Sequence, residues 1–431
     1  MKARPRVVIV GAGFAGMAAA KGLDGAPVDV TLVDRNNFST FQPLLYQVAT
    51  SGLNAADVAH PVRGVFQDQA NLTFRKGTAT GVDWDRGELL LDDGALGFDH
   101  LVVAAGACTN FFGVDGAEAH AFPLYALRDA VRLRNHVLSR FEASDADPAL
   151  VDDGALTFVV VGGGPTGVEV AGALIELFDR VLRKDFRTLD VAQARVLLLE
   201  MRDELLPPFS RSSRRHARSI LEQRGVEVRT GTTVERISAT RVHLAGGEEL
   251  AAHTLVWAAG VRANPLAGAL GLPTGPGGRV EVDGHLRVRG RPGCFAIGDI
   301  AAAPGRDSRP LPQLAPVAMQ AGRHVARHIA DPGGRRARRS FRYFDKGTMA
   351  TIGRRAAVAE LPLGIRLQGT PAWFAWLGLH LVFLVGARNR FSVLGNWAWN
   401  YLTWDRGPRL ILDTGDTGTT DAPAPAAVTP R

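Results

Sequence analysis

The chain has 431 residues, enough for roughly two to three domains, and its 46% hydrophobic and 22% charged composition is that of an ordinary globular protein. A net charge of +7 and a pI of about 9.9 admit nucleic acid, an anionic membrane surface or anionic small ligands; with no zinc-finger spacing and no basic helix with interleaved aromatics, nucleic acid is set aside. Two cysteines, Cys108 and Cys294, and no C-x-x-C exclude a disulfide framework and the paired-thiol relay of disulfide reductases.

No apolar signal-type segment precedes Arg6, so export is not expected. Residues 6–17 read as a strand, a glycine turn and a helix start, with Gly11, Gly13 and Gly16 in G-x-G-x-x-G. The first glycine of such a turn allows the tight bend. The second lets backbone approach a pyrophosphate, and the third lets helix pack on strand. Residues 28–34 form a second strand, closed by Asp34 18 residues after Gly16, near the spacing of about 20 for a ribose-binding acid.

Residues 38–53 read as neither helix nor strand; they suit a loop packed on a large planar ligand, or an ordinary buried loop. Residues 72–94 read as short alternating strands. Residues 101–106 form a buried strand ending in Ala-Ala-Gly106, where backbone can lie against a cofactor. Residues 126–141 are helical in pattern, and 144–154 read as a polar linker.

Residues 157–200 repeat the opening. A strand over 158–161 leads to Gly162, Gly164 and Gly167, an apolar helix to 182, and a second strand ending in Glu200. Two dinucleotide sites in one chain point to electrons passing between nucleotides. Glu200 lies 33 residues after Gly167, farther than usual, because 179–193 are inserted before its strand. Glu169 is placed in the first turn of the helix, where the dipole favours a carboxylate.

The basic stretch 211–218 reads as a solvated helix face. Residues 254–260 echo 100–106, giving a coarse internal repeat. A strand over 293–300 ends in Gly298-Asp299; Asp299 suits a polyol, or is a turn aspartate. A helix starts near 314 with Pro316 at its first position, 331–342 is a basic exposed loop, and a third unit begins at Phe344. The longest uncharged apolar stretch, 372–387, is shorter than the roughly 20 residues of a spanning helix. It is followed by Arg388-Asn-Arg390 and by Trp397, Trp399, Tyr401 and Trp404. Two short aromatic segments flanking basic residues suit helices in a membrane interface, a core helix pair or a dimer interface. The tail beyond Asp413 reads as disordered.

In this order the motifs resemble the two-dinucleotide-binding-domain flavoproteins, and most closely the type II NADH:quinone oxidoreductases (alternative NADH dehydrogenases). The resemblance runs from about Arg6 to Thr403. It is carried by Phe41-Gln-Pro-Leu-Leu-Tyr-Gln-Val-Ala-Thr50, Val161-Gly-Gly-Gly-Pro-Thr-Gly-Val-Glu169, Trp257-Ala-Ala-Gly-Val261, Asp345-Lys-Gly-Thr-Met-Ala-Thr-Ile-Gly-Arg354 and the C-terminal Trp/His/Arg-Asn-Arg stretch.

The resemblance implies an α/β chain of two Rossmann-like domains. Residues 1–118 with 285–345 would bind FAD non-covalently and 119–284 would bind NADH. Residues 346–412 would associate with the membrane, through Ala372 to Trp404, and 413–431 would form the tail. Gly11, Gly13, Gly16 and Asp34 would hold the FAD pyrophosphate and ribose, and Asp299 the ribitol. Gly162, Gly164, Gly167 and Glu200 would hold NADH, the Glu200 carboxylate disfavouring a 2′-phosphate. Gln47, Gly106, Gly260, Gly298 and Ala318 complete the expected cofactor-binding set.

Glu169 and Gln320 are the expected catalytic residues. Glu169 either relays protons to quinone or only answers the helix dipole. The family's Ala-Gln-x-Ala-x-Gln is here Ala315-Pro-Val-Ala-Met-Gln320, so Pro316 removes one quinone-side glutamine. No metal is expected. The implied protein is a homodimer on the cytoplasmic side of the cell membrane that passes electrons from NADH to quinone without pumping protons. Two rivals stay open: a soluble NADH-dependent reductase of a ferredoxin-like protein, and a non-catalytic NADH-sensing flavoprotein.

Overall fold

The computed structural model describes residues 3–307, 309–335, 338–384, 386–403 and 406–412; Trp404 and the tail from Asp413 onward lie outside the described residues. An apolar β-branched run makes β1 (Arg6–Val10), buried from Val7 onward. After α1 (Phe14–Gly22) come β2 (Asp29–Asp34), β3 (Leu72–Lys76) and β4 (His100–Val103), all parallel to it. Val10 lies opposite Val33 and Val103, so three strands end at one level. Of the short strands predicted over 72–94, only the first joins this sheet; 79–83, 88–91 and 94–97 form an antiparallel meander. The 38–53 segment is regular after all. Phe38–Thr40 pairs with Ala59–Pro61, Gln42–Leu44 is a 3-10 turn, and Leu45–Ala49 is a buried helical turn.

The helix predicted over 126–141 is α2 (Leu127–Ala146), and it runs on into the expected linker because Ser144 extends its buried stripe. Asp129 starts it by accepting the N–H groups of Tyr125 and Ala126 at 3.1 and 2.7 Å. The second unit follows with β5 (Thr157–Val161), α3 (Pro165–Leu177), β6 (Arg195–Glu200), α4 (Arg211–Gln223), β7 (Val226–Thr230) and β8 (Thr254–Trp257). Its parallel sheet runs β8–β5–β6–β7, with Phe122–Pro123 outside β8. The inserted segment is spent on a π-helical turn over Phe178–Leu182 and the short helix Arg183–Asp185. Val161 nevertheless lies opposite Leu199, the register of Val10 opposite Val33. On α4, Ser213, Ala217 and Leu221 face inward and Arg211 and Arg215 face solvent.

The chain then returns. β9 (Cys294–Ala296) pairs with β4, completing the first sheet as β9–β4–β1–β2–β3. α5 (Ala315–Ala330) packs along α1. Pro316 is its second residue rather than its first, still within the turn whose N–H groups lack intrahelical partners. β10 (Thr348–Gly353), β11 (Ala356–Glu360) and β12 (Arg366–Gln368) make an antiparallel sheet, followed by α6 (Gly369–Phe383) and α7 (Ala387–Thr403). Among the described residues no helix is long and apolar enough to cross a membrane.

The inner side of α7 mixes buried apolar side chains, Val393 and Trp397, with a row of hydrogen-bonding polar ones, and its outer side is largely apolar. Asn389 donates to the carbonyls of Ala56, Asp57 and Ala59, Ser392 and Asn396 donate to the Asp57 carboxylate, and Asn400 donates to the Gly52 carbonyl. Phe391, Leu394, Trp399 and Leu402 are 74%, 48%, 59% and 82% exposed. Beyond α7, buried Arg406 donates to the carbonyl of Thr50 at 2.8 Å and meets Glu176 at 3.5 Å, tying the C-terminal end to both units. Arg406→Met is expected to cost about 1.5–3 kcal/mol, because the Thr50 carbonyl loses a charged donor; thermal unfolding of the flavin-loaded protein would register this as a lower midpoint.

Candidate functional site: two glycine turns closed by carboxylates

The two glycine turns are built alike. Gly11 has φ +108°, and a Cβ there would stand 2.4 Å from the Ala104 carbonyl oxygen; Gly162 has φ +111°, and its Cβ would stand 2.6 Å from that of Ala258. The Ala-Ala-Gly repeats are therefore the surfaces on which the first glycine of each turn rests. Gly16 and Gly167 lie against the carbonyls of Gly11 and Gly162, where a Cβ would come within 1.8 Å. Gly13 and Gly164 are different: each is the N-cap of its helix, and a Cβ on either meets nothing within 4 Å. No acidic residue occupies the first turn of α1 or α3. Each turn thus presents open space to a helix N-terminus without competing negative charge, as a pyrophosphate requires.

The carboxylates close the turns in the same manner. Asp34 accepts the N–H of Ala12 with one oxygen and that of Asn36 with the other, both at 2.7 Å. Glu200 accepts the N–H of Gly163 at 2.6 Å and that of Arg202 at 2.9 Å. Each oxygen keeps a lone pair for a ribose hydroxyl. Burial raises the pKa of Asp34, opposed by the N–H groups of Ala12 and Asn36.

A cleft of about 650 Å³ runs from the first turn, and Gly11, Gly13, Asp34, Gly106, Gly298, Asp299 and Ala318 all line it. Gly16 lies behind the turn, and Gly162, Gly164, Gly167 and Glu200 form the second one. Gly260 follows β8 with φ +153°, beside the ring of Phe112. The sequence reading missed Tyr125, whose hydroxyl accepts the N–H of Ala107 at 3.0 Å and lies 3.5 Å from Asp299. Burial first, then Asp299, pushes this phenol up to about 12. Nothing in the local pattern marks Tyr125; only the approach of its loop to β9 makes it a cleft residue.

Two expected site residues are occupied elsewhere. Gln47 does not line the cleft. Its amide donates to the Tyr46 hydroxyl at 2.9 Å and accepts the Trp397 indole N–H at 2.8 Å, so it fastens the 42–49 turn to α7. Gln42 lines the cleft instead. Gln320 uses both ends of its amide on the backbone of Phe344, at 2.9 and 3.0 Å. Glu169 also departs from expectation: α3 starts at Pro165, so Glu169 is its fifth residue, past the first turn. Burial dominates there and pushes its carboxyl up to about 8, opposed by the Thr351 N–H at 3.3 Å and by the Trp376 indole. Trp376 stacks on His380 with centroids 4.0 Å apart, and Phe41 bridges edge-on from His380 to Phe14 on the cleft wall.

Cys108 and Cys294 are both free, and among the described residues no group of three or more His, Cys, Asp or Glu side chains is placed to hold a metal. Two dinucleotide turns on two parallel sheets, without paired thiols, define a two-nucleotide oxidoreductase. The pyridine nucleotide-disulphide oxidoreductase family model matches residues 5–322, and the NDH2 C-terminal domain model matches 346–404. The chain is 38% identical over 429 residues to the type II NADH:quinone oxidoreductase NdhA of Mycobacterium tuberculosis, covering 95% of this chain and 89% of that protein. It is 32% identical over 380 residues to the type II NADH:quinone oxidoreductase of Staphylococcus aureus, covering 86% and 93%. The fold matches that of NDH2 from Plasmodium falciparum, solved in complex with NADH, with a TM-score of 0.87 at 20% identity over 94% of this chain and 100% of that one. The chain belongs to the type II NADH:quinone oxidoreductase family.

The two kinds of glycine separate by mutation. Gly13→Ala is expected to fold with an unchanged apo melting temperature and to lose most of its flavin on gel filtration. Gly11→Ala is expected to melt lower even without flavin, since its Cβ meets the Ala104 carbonyl. Equal melting losses in the two variants would contradict this division.

Proposed function

We propose that this chain is a peripheral membrane enzyme that oxidises NADH and reduces quinone, with FAD in the first cleft and NADH at the second turn. The observation that carries the reading is the matched pair of glycine turns, each closed by a carboxylate that two backbone N–H groups hold in place. The first cleft suits FAD because it continues from the turn to Asp299 and to the N-terminus of α5 at Ala315 and Ala318. When bound there, FAD supplies the carrier that takes two electrons from NADH and yields them to quinone. The proposed FAD unit is 1–118 with 285–345 and the NADH unit 119–284, with residues 125–128 and 264–269 of the latter reaching across to the first cleft.

The chain's own contribution is positioning and charge. The N–H groups opening α5 face the end of the cleft and favour negative charge there. At the second turn Glu200 binds a ribose diol and repels a 2′-phosphate. A second cavity of about 520 Å³ shares Phe14, Ser39 and Thr40 with the cleft and extends to Met319 and to Val382, Phe383 and Leu384 at the end of α6. It suits a lipid quinone arriving from the membrane. Pro316 and the engaged Gln320 leave no free glutamine amide on that helix for the quinone. Glu169, whose carboxyl is poised near neutrality, is the proposed proton donor.

The outer faces of α6 and α7 support membrane contact. Phe374, Val382, Phe391 and Leu402 are each more than 60% exposed, on helices too short to span. A soluble ferredoxin-type reductase has no use for this face. Since NADH is cytoplasmic, we place the protein on the cytoplasmic side of the membrane.

An anaerobic two-step mix tests the reaction: NADH should bleach the flavin absorbance, and a short-chain quinone should restore it within milliseconds to seconds. Bleaching without recovery would contradict quinone as acceptor. Glu200→Ala should weaken NADH binding and relax the bias against NADPH; an unchanged preference would sink the ribose assignment. For Glu169 the folded pKa of about 8 lies above the ordinary 4.5, so the folded protein holds this proton and the group's contribution to stability falls as pH rises from 4.5 to 8. Glu169→Gln should therefore melt higher than wild type above pH 8 but not below pH 4.5. It should also slow quinone reduction, and it should lack the wild type's decline in rate above about pH 8.

A further inference from the structure

We propose that the groove between α5 and residues 339–342 binds the phosphate of an anionic membrane phospholipid. The inference rests on the peripheral reading above and adds a specific headgroup site to it. The groove encloses about 660 Å³ and is lined by Arg323, Arg327, Arg339 and Arg342, with His324 on its floor and Gln320 at one end. Arg323 and Arg327 are one helical turn apart on α5 and face the same way. Arg339 and Arg342 come from the basic segment that leaves α5, which neither nucleotide site uses. Among the described residues none of these four guanidinium groups makes an ion pair. Elsewhere in the chain arginines commonly find carboxylates, as Arg224 does with Glu176 and Arg241 with Asp153.

The floor of the groove is a buried histidine. His324 is 8% exposed, and its ring Nε2 has no hydrogen-bond partner. The four arginines around this buried ring are solvent-exposed and turn their charge toward the groove. Burial, then Arg327, pushes the His324 pKa down to about 4, so the ring is neutral and adds no charge to that of the arginines. An oxyanion in the groove meets several arginines at once, and arginine forks suit phosphate oxygens.

The position of the groove selects lipid over a free anion. Arg323 also lines the cavity that ends at Val382, Phe383 and Leu384 of α6. Gln320 holds Phe344, 65% exposed, on the same side, and the Lys346 ammonium lies 5.5 Å from the Phe383 ring. The groove therefore opens beside the apolar edge proposed to enter the membrane, where headgroup phosphates gather.

The test compares flotation of the flavin-loaded full chain with phosphatidylcholine vesicles and with vesicles doped with phosphatidylglycerol. It uses wild type and the charge-conserving triple variant Arg327→Lys/Arg339→Lys/Arg342→Lys, with NADH-dependent flavin bleaching as the check on folding. Wild type should prefer the anionic vesicles. The triple lysine variant should lose most of that preference, and replacement of all three by glutamine should lower anionic-vesicle affinity on the order of a hundredfold, about fivefold per arginine. Equal preference of wild type and the lysine variant would show diffuse attraction and overturn the site. Melting stabilised by inorganic phosphate in wild type alone, with vesicle preference unchanged by the variant, would assign the groove to a soluble anion and overturn the lipid. If wild type floats with neither vesicle, the peripheral reading itself fails.

Discussion

Everything about the nucleotide sites depends on how closely the chain can approach itself at Gly11 and Gly162. Each glycine sits with positive φ against the carbonyl that ends a neighbouring strand, and neither position has room for a Cβ. This contact sets the level at which three strand ends meet. It thereby places the second glycine of each turn in open space and puts a strand-end carboxylate within reach of the turn's own N–H groups. Asp34 and Glu200 are part of the turn before they are ligands for anything. Each is held by two backbone donors, so its position needs no ligand to define it.

The C-terminal helices solve a different problem. A helix that presents apolar side chains outward cannot be held to the body of the protein by ordinary core packing on that face. On its inner face α7 buries Val393 and Trp397 in the core and is fastened further by side-chain amides, a serine hydroxyl and the Trp397 indole, which meet carbonyls and side chains of residues 47–59. The same segment carries Tyr46 and the turn that contains Gln42, so the outer helices are coupled mechanically to the cleft wall. Arg406 extends the coupling to the second unit through Glu176. The exposed apolar face of α7 and the wall of the first cleft are thus two sides of one hydrogen-bonded layer.

Charge is arranged to the same end. The first turns of α1 and α3 carry no acids, and the acids that do approach the turns are each held by two backbone N–H groups. Glu169 is the exception. Between α3, β10 and Trp376 it has one backbone donor and little water, so desolvation outweighs the helix dipole and leaves it close to half-protonated near pH 8.

Much of this was legible in the sequence, because glycine spacing, strand-ending acids and short apolar runs are local signals with local causes. Both fingerprints, both closing carboxylates, the Ala-Ala-Gly echoes and the two short C-terminal helices follow from residues close together in the chain. Tertiary structure decided what local patterns cannot encode. It determined that Glu200, despite the insertion before it, reaches the same register as Asp34, because strand pairing rather than chain length fixes the strand end. It spent Gln47 and Gln320 on fastening distant segments, and it brought Tyr125 to Asp299 across 174 residues. It also gave Glu169 its pKa by burying it. These outcomes depend on which surfaces meet and how much water they exclude, and that is settled only when the whole chain is packed.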